Sequence, residues 1–144
     1  MAIVDTLNKR LLKQIDVFSG LAEEDLDSLT KAAVEKIYEP MDFIFKQNDK
    51  ADCFYVIKAG IVRIVRGATN LAELNAGEIF GEMGVLDDKP RGASAQAATN
   101  LVLLAVTKDA LLSVIGERRS VEMKIRRKIL ERHTANIATT FHRT

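Results

Sequence analysis

The strongest constraint on this chain is a series of short apolar segments separated by turn residues, with no crossover helix between them. Phe43–Phe45, Phe54–Ile57, Ile61–Val65, Leu71–Leu74, Ser94–Ala98 and Leu101–Val106 are each short, and the first three are rich in β-branched or aromatic residues. Asn48-Asp49, Ala59-Gly60, residues 66–70, Ala76-Gly77-Glu78 and Thr99-Asn100 supply turns between them. Parallel strands need long crossovers, so this spacing implies an antiparallel jelly roll (double-stranded β-helix) or barrel. Helices are expected on either side of it. Residues 5–16 and 22–36 read as helical, with Leu26, Leu29, Ala33 and Val34 as an apolar stripe, and Pro40 closes that region. After the strands, Lys108–Ile115 reads as a short helix, Gly116 as a break, and residues 117–138 as a long amphipathic helix. The expected fold class is mainly β with flanking helices, in a single domain. Helices span 5–36, the roll about 37–107, and C-terminal helices 108–140.

Composition narrows the rest. At 144 residues the chain is long enough for one good core, and its formal net charge of +1 gives no bulk argument for nucleic acid or membrane. Cys53 is the sole cysteine, which excludes an internal disulfide and a multi-cysteine zinc site. Neither a signal peptide nor a membrane span is read from the sequence, and the cytoplasm is the expected compartment.

Residues 80–95, Phe80-Gly81-Glu82-Met83-Gly84-Val85-Leu86-Asp87-Asp88-Lys89-Pro90-Arg91-Gly92-Ala93-Ser94-Ala95, carry the chemistry. Gly81 and Gly84 let the backbone approach a ligand with no side chain in the way. A short helical turn is expected between and after them, and free N–H groups at its start suit an anion. Arg91 offers a planar, permanently charged fork for phosphate oxygens, and Glu82 a carboxylate that can accept from a sugar hydroxyl. Each residue also has an ordinary reading. Arg91 alone is a surface arginine after a proline, Glu82 a carboxylate at a helix N-terminus, and the glycines plain turns.

Taken together, this stretch resembles the phosphate-binding cassette of cyclic-nucleotide-binding domains. The resemblance extends to Phe45-Lys46-Gln47-Asn48-Asp49, to Cys53–Ile64, and upstream to Val17–Leu26, so that it covers about Val17 to Ile115 in order. It implies that Arg91 binds the exocyclic phosphate oxygens, that Glu82 accepts from the ribose 2′-hydroxyl, and that Gly81, Met83, Gly84, Gly92 and Ala93 line the ligand. Asn48 stands where the family usually has glycine, and Gly84 where alanine is commoner. Members that prefer cyclic GMP often carry threonine directly after the arginine. Gly92 stands there, which favours cyclic AMP, with Ser94 as the nearest complicating hydroxyl. The purine would rest on Val62 and Ile64, or on Leu71 and Leu74. No cofactor or metal is implied.

In such domains the last helix either dimerises or folds over the base as a lid, so a homodimer through this helix is an expected partner, beside an effector protein. Here it carries Val121, Ile125 and Ile129 at four-residue spacing, and Met123, Leu130 and Ile137 at seven. Its basic residues read first as a solvated face, set against the acidic cluster Glu23, Glu24, Asp25 and Asp27. No helix-turn-helix pattern fits after it, so direct DNA binding is not expected. An enzyme is not expected either. The two histidines, His133 and His142, lie in the tail, and no nucleophile elbow or Gly-Lys-Ser/Thr phosphate loop occurs. The alternative function is a degenerate domain that docks proteins without binding nucleotide.

Overall fold

A computed structural model describes residues 3–15, 18–116, 122–123, 126–127 and 130–131. Among these residues, eight strands pair in a nested order. β1 (Val34–Tyr38) lies against β8 (Leu101–Thr107), and β2 (Phe43–Phe45) against β7 (Ser94–Ala97). β3 (Cys53–Ala59) lies against β6 (Ile79–Phe80), and β4 (Val62–Arg66) against β5 (Thr69–Leu74). All of these pairs are antiparallel. This is the pairing of one long hairpin, closed at β4 and β5, rolled until β3 meets β8 and β4 meets β7. The products are two four-stranded sheets, β1-β8-β3-β6 and β2-β7-β4-β5. The fold is the jelly roll that the short strands and turns imply.

β3 and β8 explain why the apolar run Leu101–Val106 shows no polar alternation. Successive strand residues point to opposite faces, and here both faces are covered. Phe54, Val56, Leu104 and Val106 pack with Leu12, Phe18, Leu26, Leu29 and Leu111 in a helical layer. Tyr55, Ile57, Leu101, Leu103 and Ala105 turn the other way, onto Val62, Phe80, Ala95 and Ala97 inside the roll. The helical layer is built from α1 (Ile3–Gln14), α2 (Glu23–Ala32) and α4 (Lys108–Ile115), while α3 (Glu82–Asp87) interrupts the strands.

One local expectation needs correction. The helix expected over 22–36 stops at Ala32, Ala33 is extended, and Val34–Tyr38 forms β1. Val34, Ile37 and Tyr38 favour pleated surfaces, and pairing with β8 overrides the helical stripe read through Val34. β6, two residues long, was too short to read from pattern. Of the helix expected over 117–138, Glu122, Met123, Arg126, Arg127, Leu130 and Glu131 are described and helical; the remainder lies outside the described residues. Part of the acidic cluster has a local use. Lys9 Nζ lies 2.6 Å from Glu23 Oε2 and 2.8 Å from Asp27 Oδ1, joining α1 to α2.

The turn from β3 to β4 depends on Gly60. Its φ is +99, and a Cβ there would lie 2.3 Å from the Asn100 carbonyl oxygen. That contact is with backbone, which cannot swing aside. Gly60→Ala is expected to destabilise the fold by about 2–3 kcal/mol, read as a lower urea midpoint at unchanged slope.

Candidate functional site

Arg91 is fixed first through its main chain. The turn at Asn48-Asp49 clamps it from both sides: the Asn48 N–H donates to the Arg91 carbonyl at 2.8 Å, and the Arg91 N–H donates to the Asp49 carbonyl at 2.8 Å. Asn48 makes that turn with φ +75, the left-handed conformation that asparagine tolerates better than most residues. Thus the asparagine found where the family favours glycine still forms the turn.

The side chain then runs inward. Arg91 is 4% exposed, which rules out the surface arginine that its sequence position alone would suggest. Nη1 donates to the Gly81 carbonyl at 2.5 Å, and Nη2 donates to the Cys53 carbonyl. The guanidinium carbon lies 4.1 Å from the centre of the Phe45 ring and 5.9 Å from that of Tyr55. Nε is buried without a hydrogen-bond partner. Burial lowers the Arg91 pKa, and neighbouring acidic groups, Asp52 and Glu82 among them, oppose that shift. An arginine remains charged under such pressure. The site therefore holds a cation that is nearly dry.

Gly81 is required twice over. Its φ is +81, and a Cβ there would lie 2.8 Å from Arg91 Nη1. It also caps α3, so Glu82 and Met83 are the first two residues of the expected helical turn. Glu82 is 6% exposed, and the N–H groups that lead α3 have no partner within the helix. Gly84 faces differently. A Cβ at that position would meet the Ala51 side chain at 2.7 Å and the Lys89 carbonyl at 3.0 Å, so Gly84 lets α3 seat closely. Gly92 is exposed, with its carbonyl accepting from Arg66 Nε at 3.1 Å, and Ala93 is half-buried before β7. Val62 and Leu74 are opposite each other and buried in the roll, whereas Ile64 and Leu71 are half-buried.

Sequence reasoning missed the aromatic wall behind the arginine. Phe45, Tyr55 and Phe80 have ring centres 5.2–6.0 Å apart. The Phe-Ile-Phe and Phe-Tyr runs were visible, but which rings meet depends on strand register. Missed too were the ionic ties of α3 to the later helices. Asp87 Oδ1 lies 2.8 Å from Arg126 Nη1, and Asp88 Oδ1 lies 2.8 Å from Lys108 Nζ.

A water-shielded guanidinium beside a short helix start and a carboxylate is suited to hold an anion that also carries hydroxyls. Among the described residues no group of three or more His, Cys, Asp or Glu is placed to hold a metal ion. Fold and site thus define a ligand-binding jelly-roll module. The profile of the cyclic nucleotide-binding domain matches residues 35–118, and the chain belongs to that family. It is 30% identical over 104 residues to the Drosophila melanogaster cAMP-dependent protein kinase type II regulatory subunit, covering 72% of this chain and 28% of that protein. It is 30% identical over 114 residues to the Eimeria tenella cGMP-dependent protein kinase, covering 79% of this chain and 11% of that one. The regulatory domain of Toxoplasma gondii PKA, solved with cAMP, superposes with a TM-score of 0.77 at 19% identity, over 89% of this chain and 50% of that one. The chain thus spans well under a third of the two curated relatives named here. Among its described residues no helix is long and apolar enough to cross a membrane.

The wall behind Arg91 gives a pH test. Burial is the main cause that pushes the Tyr55 phenol from 10.0 up to about 12, and it raises Tyr38 and Cys53 in the same direction. Below pH 10 both folded and unfolded chains keep Tyr55 neutral, so nothing is lost there. Between 10 and 12 the unfolded chain ionises first, so stability falls as pH rises through the folded value. The urea midpoint is expected to drop across that window, and less steeply in Tyr55→Phe.

Proposed function

We propose that this chain is a cyclic-nucleotide sensor, binding cyclic AMP in preference to cyclic GMP, that answers the ligand by repacking the helices after Val106. The observation that carries this reading is the buried Arg91 guanidinium with an unpartnered Nε, beside a buried Glu82 at the start of α3. A buried charge is tolerated where it is paired, and a phosphodiester supplies the missing partner. Arg91 would take the exocyclic oxygens and Glu82 the ribose 2′-hydroxyl. Gly81, Met83, Gly84, Gly92 and Ala93 would line the ligand through backbone.

The preference for cyclic AMP rests on Gly92, which brings no hydroxyl to the position after the arginine. A Cβ there would meet nothing within 4 Å, so that point is open. The Ser94 hydroxyl, the nearest alternative, accepts from the Gln47 N–H at 2.9 Å and is engaged locally. The repacking rests on the ion pairs Asp87–Arg126 and Asp88–Lys108, which tie the C-terminal end of α3 to the segment that would move. A ligand shifts such an arrangement only by its difference in affinity for the two states. Met123 and Leu130 are exposed at seven-residue spacing, which favours a second copy of the chain or an effector protein as the partner of the last helix.

Calorimetric titration of the chain with cyclic AMP and cyclic GMP tests this directly. Micromolar binding is expected, tighter for cyclic AMP. Arg91→Ala should weaken it on the order of 100-fold or more, from two charge-assisted hydrogen bonds of about 1.5–3 kcal/mol each. Because Arg91 also satisfies the Gly81 and Cys53 carbonyls, Arg91→Ala lowers stability as well. Arg91→Lys separates retained charge from the lost fork. No binding of either nucleotide by the wild-type chain would leave the docking-module reading in its place. In hydrogen exchange, cyclic AMP should change protection within residues 108–116; identical exchange with and without it would exclude the repacking.

A further inference from the structure

One residue at the site has a geometry that its strand alone does not explain. In a regular strand Ile44 and Phe45 would point to opposite faces, one into the roll and one out. Both pack against the inner cluster. The reason is a register shift in β2, where Phe43 pairs with Gln96 and Phe45 with the next residue, Ala95. Two steps along β2 thus match one along β7, which is the geometry of a bulge, and bulges re-aim side chains. Here the shift turns the Phe45 ring inward beneath the guanidinium, 4.1 Å from its carbon. The ring is braced in turn by Tyr55 and Phe80, each with its ring centre 6.0 Å away.

Two carbonyls fix the ends of the Arg91 fork, and the ring covers one of its faces. That leaves the Nε edge of the plane, buried and without a hydrogen-bond partner, as the part not held by protein. We propose that Phe45 is a positioning residue: its ring, swung inward by the β2 bulge, holds the guanidinium plane so that its free edge meets a phosphate. This rests on the reading of the Arg91 pocket as a cyclic-nucleotide site. A ring face attracts a cation through its quadrupole, more strongly when water is excluded, and leucine provides similar bulk without that attraction. Preorganisation of this kind raises affinity by reducing the ordering left to do at binding.

The test uses the full chain, with Phe45→Leu and the conservative Phe45→Tyr. Phe45→Leu should weaken cyclic AMP binding about 3- to 30-fold, the equivalent of a desolvated cation–π contact, and Phe45→Tyr should bind like wild type. A second readout needs no ligand. The Arg91 Nε proton, identified by its disappearance in Arg91→Lys, should resonate upfield because of the ring current, move downfield in Phe45→Leu and stay in Phe45→Tyr. Affinity of Phe45→Leu within about twofold of wild type would overturn the proposal. So would a loss in Phe45→Tyr as large as in Phe45→Leu, since that would make the role one of filling space. An unshifted wild-type Nε proton would overturn it without any variant. If wild type binds neither nucleotide, the functional reading fails, and the Nε shift still decides whether Phe45 orients Arg91.

Discussion

Keeping one guanidinium away from water is the demand around which this molecule is arranged. Removing a charge from solvent is costly, and the offsets at Arg91 come from several parts of the chain. β3 gives a carbonyl at Cys53 and a ring at Tyr55, β2 gives the Phe45 ring, and the start of α3 gives the Gly81 carbonyl. The turn at Asn48-Asp49 holds the backbone from which the side chain departs. Each contributor tolerates few alternatives. Gly81 has no room for a Cβ, and Asn48 sits where a β-branched residue would be strained. These parts lie far apart in sequence, so the site exists only once the roll has formed.

The same two strands that help build the site also carry the helical layer. In β3 and β8, neighbouring residues belong alternately to the inner cluster and to the layer containing α1, α2 and α4. Phe54 and Tyr55 are adjacent in the chain; the first packs its ring, tilted, against Phe18 and the second backs Arg91. Protein interiors are close-packed, so displacement on one face of such a strand is felt on the other. The ion pairs from Asp87 and Asp88 run outside this core, directly from α3 to Arg126 and Lys108. The Arg91 pocket and the helical layer are thus joined by two routes, one through packed strands and one along the surface.

What could be read from the sequence follows the range of the forces involved. The six strands expected from pattern, α4 and the short helix within the cassette are fixed locally, by turn residues and side-chain period, and they occur where expected. β1 is different. Its residues continue a helical stripe from α2, and only the distant edge of β8 makes them a strand. Arg91, Glu82 and Gly81 are picked out by type and spacing, and the structure brings them together at the start of α3. That Arg91 would be buried was not legible, because its acceptors are main-chain carbonyls, which leave no mark on side-chain identity. Phe45 escaped for a related reason: a one-residue shift of register, invisible in composition, decides which way its ring points.

The nested pairing has a consequence for how the chain comes to be made. β1 precedes the other described strands in the chain, yet Val34 waits for Ala105 and Tyr38 for Leu101. On a ribosome β1 emerges with that edge open and β8 not yet in existence. Among the described strands, only β4 and β5 pair as immediate neighbours in the chain. Contacts of such long sequence separation slow folding, because the loop must be ordered before the contact rewards it. Until β8 is released, side chains such as Phe54 and Val56, buried once β3 pairs with β8, are open to wrong partners, and a chain caught at that stage is prone to aggregate.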